Sequence, residues 1–176
     1  MSVSYILYNS SMATTAAPVK QPTGTAIRTM MQVSLSASVS PAKIIAWGCS
    51  FDGSALATPG QVELIETNIP ATSLSTAYVT ADIQTYANSK APANTPASAM
   101  PFILGTSNSG FATGAVTEGS TTTSRMADVV QIDPVNNYFY QWPLGREFEL
   151  IPGNFLRVRM TFGTSINATC YVVIEI

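Results

Sequence analysis

Histidine is absent from all 176 residues. Its absence excludes Ser-His-Asp and Cys-His nucleophilic catalysis, the His-liganded zinc and iron sites, and the commonest general base. Charge is scarce too: Asp, Glu, Lys and Arg make up 10% of the chain, where soluble domains carry about 25%. The 8 basic and 10 acidic residues leave a net charge of −2, so no basic excess exists to hold a nucleic acid through its phosphates. Cys49 and Cys170 stand far apart, with neither CxxC nor other metal-type spacing. No apolar run approaches the roughly 18 residues of a membrane span. The opening MSVSYILYNSS lacks the basic start and apolar stretch of a secretory signal. The expectation is a non-enzymatic protein with no cofactor, no metal, no nucleic acid and no membrane, made in the cytoplasm with reduced thiols.

What the chain has in quantity is apolar side chain, at 46% of residues. A soluble domain of this composition covers itself with Ser, Thr, Asn, Gln and Ala, or buries much of its outside against partners. A chain of this length is one domain that buries roughly 70% of its unfolded surface, so it needs no disulfide or metal to fold.

Residues 1–26 differ from the rest. A short cluster, Tyr5-Ile6-Leu7-Tyr8, precedes a run of Ser, Thr, Ala and Pro without period, and Pro18 and Pro22 oppose a helix. This segment reads as an extended N-terminal arm, with the domain proper at residues 27–176. From Thr29 the alternation is clean: Met31, Val33, Leu35, Ala37 and Val39 share one face, and Gln32, Ser34, Ser36 and Ser38 the other. After a turn at Ser40-Pro41-Ala42, Ile45, Trp47, Cys49 and Phe51 share a face of a second strand. Shorter strands are expected over 61–67, 75–81, 102–106, 111–118 and 127–133, a single helical turn over 82–86, and a Pro-rich loop over 87–101. Tyr138, Tyr140 and Trp142 alternate in an aromatic run. Pro152-Gly153 supply the central residues of a type II turn between strands over 146–151 and 155–162, the second with Arg157 and Arg159 outward. Cys170, Val172, Ile174 and Ile176 form one face of a last strand, with both cysteines inward. Eight to ten short strands and no long helix predict an all-β fold, a β-sandwich of jelly-roll type.

Little in this pattern supports chemistry. Ser40-Pro41-Ala42-Lys43 matches the S-x-x-K of penicillin-recognising enzymes, but it sits in a turn and lacks the SDN and KTG partners. The glycine-bracketed segments 48–53 and 105–110 read as turns. Paired carboxylates remain open in principle, since a glycosidase needs only two. Glu147 and Glu149 instead read as a cross-strand ladder with Arg157 and Arg159. Tyr138, Tyr140 and Trp142 are the natural sugar-stacking residues if exposed, and core if not.

The edges are more informative. Proteins block sheet edges with Lys, Glu or inward charge, yet this chain has three lysines in all and no charge between Thr29 and Val39. Edges and apolar surface are therefore expected to be covered by further copies of the chain or by a larger surface.

Two groups of residues carry a resemblance. Lys43-Ile44-Ile45-Ala46-Trp47-Gly48-Cys49-Ser50-Phe51-Asp52-Gly53 is one; Pro143-Leu144-Gly145-Arg146-Glu147-Phe148 with Pro152-Gly153-Asn154-Phe155-Leu156-Arg157-Val158-Arg159 is the other. In texture these resemble small virion proteins of tailed bacteriophages that decorate, or cement, the capsid. The resemblance implies a homotrimeric β-sandwich docked on the major capsid protein at the capsid surface, bridging neighbouring capsomers, with no catalytic residues. Tyr5, Ile6, Leu7, Tyr8, Arg157 and Arg159 are then the candidate intermolecular contacts. The alternative is a carbohydrate- or receptor-binding jelly-roll module of a tail fibre or surface protein, and third a carboxylate-only glycosidase.

Overall fold

Alternation in the sequence becomes pairing between distant halves of the chain. The computed structural model describes residues 2–11, 16–54, 58–71, 74–85, 100–111, 118 and 124–176. Its strands are β1 (Ser4–Tyr8), β2 (Gln21–Pro22), β3 (Arg28–Ser34), β4 (Ala42–Phe51), β5 (Gly60–Thr67), β6 (Thr76–Ala77), β7 (Ile83–Thr85), β8 (Gly110–Phe111), β9 (Ser124–Ile132), β10 (Asn137–Gln141), β11 (Phe148–Leu150), β12 (Phe155–Thr161) and β13 (Asn167–Glu175). One turn of 3-10 helix, Thr80–Asp82, precedes β7.

Four antiparallel pairs set the topology: β1 with β13, β3 with β12, β4 with β10, and β5 with β9. In each, a strand from the first half of the chain meets one from the second, so the chain runs as a two-stranded ribbon folded near its middle. Rolling that ribbon brings β13 onto β4 and β12 onto β5. Sheet A is then ordered β10–β4–β13–β1–β7, with β11 also on β4 and β2 on β13; sheet B is ordered β6–β8–β3–β12–β5–β9. Successive strands β1, β3, β4 and β5 alternate sheets, β5 and β9 share sheet B where the ribbon folds, and β9, β10, β12 and β13 alternate again, as in a jelly roll. The core lies between the sheets, with Leu7, Trp47 and Val172 from sheet A against Val33, Leu64 and Val158 from sheet B.

The division at residue 26 has no counterpart. The expected arm opens with β1, which hydrogen-bonds to β13 on one side and β7 on the other, and β2 adds to β13. Tyr5 packs against Phe102 with ring centroids 5.2 Å apart, and Leu7 is fully buried. The cluster 5–8 is too short to read as a strand by period alone; two flanking strands make it one.

Other expectations shift by identifiable causes. The strand from Thr29 ends at Ser34 rather than Val39, because Ser36–Val39 closes a turn with Val39 N donating to Ser36 O at 3.2 Å. In β4 the register slips at Ile45 between the pairs Val173–Ala46 and Ile174–Ile44. This bulge turns Ile44 into the core and Ile45 out of it. The helical turn falls at Thr80–Asp82, and 83–85 is β7. Most of the loop over 87–101, and of the strand over 111–118, lies outside the described residues.

The Pro152-Gly153 turn is present: Asn154 N donates to Ile151 O at 3.1 Å and Gly153 has φ 89°. It does not close a hairpin. β11 pairs with β4 in sheet A, whereas β12 lies between β3 and β5 in sheet B. The buried Glu66 carboxylate fastens this crossing, accepting from Ile151 N at 3.0 Å, Asn154 Nδ2 at 2.9 Å and Arg125 Nε at 2.5 Å. The expected ladder from Glu147 and Glu149 to Arg157 and Arg159 is therefore absent; Glu147 pairs with Lys43 at 3.8 Å, and Glu149 stands opposite Lys43 across β11–β4.

Candidate functional site

The six residues proposed as intermolecular contacts fall in three different environments. Tyr5 and Leu7 face the core, and burial raises the Tyr5 hydroxyl pKa. Ile6 and Tyr8 face the opposite way, onto the outside of sheet A. Arg157 and Arg159 project from the outer face of sheet B, as alternation requires, but at their positions that face is covered, fully at Arg157 and largely at Arg159.

Arg157 has no exposed surface. Its guanidinium pairs with Glu118 and donates to Thr29 Oγ1 from Nη2 at 2.8 Å and from Nε at 3.1 Å. Thr29 in turn donates to Glu118 Oε1 at 2.7 Å. Arg159 donates from Nε to Glu63 Oε2 at 2.6 Å and lies 3.8 Å from Glu118. Burial lowers the Arg157 pKa, and Glu118 opposes that shift. Two arginines and two glutamates thus neutralise one another inside the chain. Arg157 is a structural cation, and nothing of it is left to touch a partner. Sequence alternation could not distinguish a solvent face from an outer face covered by residues such as Glu118.

The surface that is open lies elsewhere, where β9 and β10 end the two sheets. Asp128, inward on β9, accepts from Trp47 Nε1 at 3.0 Å and from Tyr138 OH at 2.7 Å, pinning sheet B to sheet A. Burial first, and then the bond to Asp128, raise the Tyr138 pKa. Over the whole molecule the described residues leave ten large apolar side chains exposed. Seven of them are on this side: Met126, Val129, Val135, Phe139, Tyr140, Leu144 and Ile151. Leu144 is 97% exposed and Phe139 59%. Leu144 occupies the tip of the turn closed by Arg146 N donating to Pro143 O at 2.9 Å. An apolar residue between Pro and Gly at a turn tip was the legible signal here; the exposed phase of β10, with Phe139 rather than Tyr138 outward, was not.

Phe139 continues onto the outside of sheet A. It stands opposite Gly48, which stands opposite Tyr171, which stands opposite Tyr8. Glycine is required at 48, because a Cβ there would come within 2.8 Å of the Tyr138 carbonyl oxygen and 2.9 Å of the Tyr171 ring. The next row is Gln141, Ala46, Val173 and Ile6. Beyond it come Lys43, Glu175 and Ser4. An apolar strip thus runs from the open side across sheet A and ends at a polar row.

The carboxylates are mostly occupied. Glu63, Glu66 and Glu118 are ion-paired, and Asp128 is hydrogen-bonded. Asp52 borders an open cleft of about 350 Å³ with Thr164, Ser165 and Asn167. Hydrogen bonds from Lys20 and then Asn167 lower its pKa, which suits a bound carboxylate and not a proton donor. Among the described residues no three His, Cys, Asp or Glu side chains gather as metal ligands, and no helix is long and apolar enough to cross a membrane. No protein-family model, curated protein or solved structure matches the chain.

Proposed function

We propose that the chain is a non-enzymatic structural protein of a tailed-phage virion, a homotrimer that docks on the major capsid protein and cements neighbouring capsomers. The observation that carries the self-assembly half is the gathering of seven of ten exposed large apolar side chains on the β9–β10 side. A concentration of exposed apolar side chains on one side of a molecule is the mark of an interaction surface. Burying one such side chain contributes on the order of 1.5–3 kcal/mol, so Phe139, Leu144 and Met126 together suffice to anchor a modest interface. The capsid as docking surface rests on the resemblance of residues 43–53 and 143–159 to decoration proteins, and the jelly roll is compatible with it without requiring it.

The mechanism needs only binding. Three weak docking contacts on one symmetric body reinforce each other through effective concentration. A ligand that binds only the assembled shell stabilises it by mass action. The direct test is co-sedimentation with expanded capsids of the encoding phage that lack the protein. The expected result is saturable pelleting, with capsids that retain DNA to higher temperature. Protein left in the supernatant at all concentrations would contradict the role.

One observation favours the second reading, a glycan-binding module. Tyr140 is exposed, and its ring meets Trp142 edge-on at 5.0 Å. Tyr138 is excluded from such a platform, since its hydroxyl is bound to Asp128 and its ring packs on Trp47. Glycan-array binding lost in Tyr140→Ala, with no pelleting on capsids, would select that reading.

A further inference from the structure

We propose that Cys49 and Cys170 form a cross-strand pair placed to close a disulfide between β4 and β13. They are direct partners in the antiparallel register and both face the core. The hydrogen-bonding phase of β13 decides which kind of partner they are. Cys170 O accepts from Asn9 N at 3.0 Å, and Cys170 N donates to Asn9 Oδ1 at 2.8 Å. Both backbone groups of Cys170 therefore point away from β4, toward the end of β1. That makes Cys49 and Cys170 a non-hydrogen-bonded pair, the kind whose Cα atoms approach to about 4.5 Å. Disulfides span Cα separations of about 4.4–6.8 Å. Two cysteines whose sequence positions carry no pairing signal thus meet with their side chains on one face and at bridging range.

The bond would tie the C-terminal strand to the centre of sheet A. β13 holds β4 on one side and β1 on the other, so the crosslink secures the two ends of the rolled ribbon at once. The step balances with a disulfide oxidant such as oxidised glutathione. The two thiols give up two protons and two electrons, one S–S bond forms within the chain, and the glutathione S–S bond breaks to yield two glutathione thiols. Both cysteines are free thiols in the reduced fold. Burial pushes the Cys49 thiol up to about 12 and the Cys170 thiol well above its ordinary range. Thiolate is thus scarce once the core has closed, and the bond forms while the chain folds or opens. This inference is independent of the proposed capsid role.

The test is to refold the reduced chain from guanidinium in a glutathione redox mixture, block remaining thiols with an alkylating agent and weigh the intact chain. The expected product is an unalkylated single chain about 2 Da lighter than the reduced one, yielding on digestion a peptide pair that joins Cys49 to Cys170. Its denaturation midpoint should exceed that of the reduced chain, and Cys170→Ser should show no midpoint change in the same mixture. Chain never unfolded should oxidise roughly tenfold more slowly or worse. Two alkylated thiols after oxidative refolding, glutathione adducts on each cysteine, disulfide-linked dimers, or a crosslinked chain with a lowered midpoint would each overturn the proposal.

Discussion

Among the described residues, the sandwich ends on the side of β1 and β3 in β7, three residues long, and β6, two residues long. On the opposite side it ends in β9, of nine residues, and β10, of five. Short terminal strands are one way in which proteins blunt a sheet edge, and buried rings reinforce the first side: Tyr78 has no exposed surface and donates to Tyr8 O at 2.5 Å. The second side has the pin at Asp128 but no flanking strand among the described residues, and it carries the exposed Met126, Val129 and Phe139. One side is thus blunted, and the other carries the open apolar side chains. The self-association proposed above is to be sought on the second side.

The largest effect tests whether β1 is part of the closed side or an arm. Deleting residues 2–8 removes Leu7 and uncovers one edge of β13; the loss should be about 5 kcal/mol or more, a large part of the total stability of a domain. Denaturant unfolding would show a collapsed or absent transition, whereas a dispensable arm would leave the midpoint in place. Next is the pin on the open side. Asp128→Ala strips the acceptor from Trp47 Nε1 and Tyr138 OH and should cost about 2–4 kcal/mol, with Tyr138→Phe costing about 1. Equal small losses in both would mean that the side is held by packing alone.

Smaller still is the effect of the open surface on the fold itself. Phe139→Ser with Leu144→Ser should shift stability of the isolated chain by no more than about 0.5 kcal/mol per site, while abolishing self-association seen by sedimentation. A destabilised core with association intact would reverse the comparison. The smallest effect concerns Asp52, which binds Lys20 at 3.1 Å at the exposed surface. Its folded pKa lies below the unfolded value, so its contribution is present above the unfolded pKa of about 3.9 and fades as pH falls through the lower folded value. For so exposed a pair it amounts to a few tenths of a kcal/mol. Thermal midpoints of Asp52→Asn and the parent chain should differ slightly at pH 7 and converge in strong acid.

Much of the sandwich was legible because one face of each long strand is buried: the alternation at Met31, Val33 and Leu35 and at Cys170, Val172 and Ile174 marks strands whatever their partners. The Pro152-Gly153 turn was legible from its own chemistry, but the strands that it joins part company because Glu66, far away in sequence, fastens the crossing. Ile45 was misphased because a bulge leaves no trace in a period of two. Arg157 looked like surface because alternation reports inward against outward and cannot report what covers the outside; its partner Glu118 lies 39 residues away. The β1 strand was hidden by its brevity. The open side was half visible, in the scarcity of lysine and in Leu144 between Pro143 and Gly145. Its position at the β9–β10 edge required the topology.

The account stands most directly on the solution mass of the intact chain, measured by light scattering behind size-exclusion chromatography. The predicted species is a trimer of about 56 kDa, three times the 18.6 kDa chain, which the Phe139→Ser, Leu144→Ser variant returns to monomer. A clean 18.6 kDa monomer at high concentration, soluble with β9 and β10 uncovered, would contradict it.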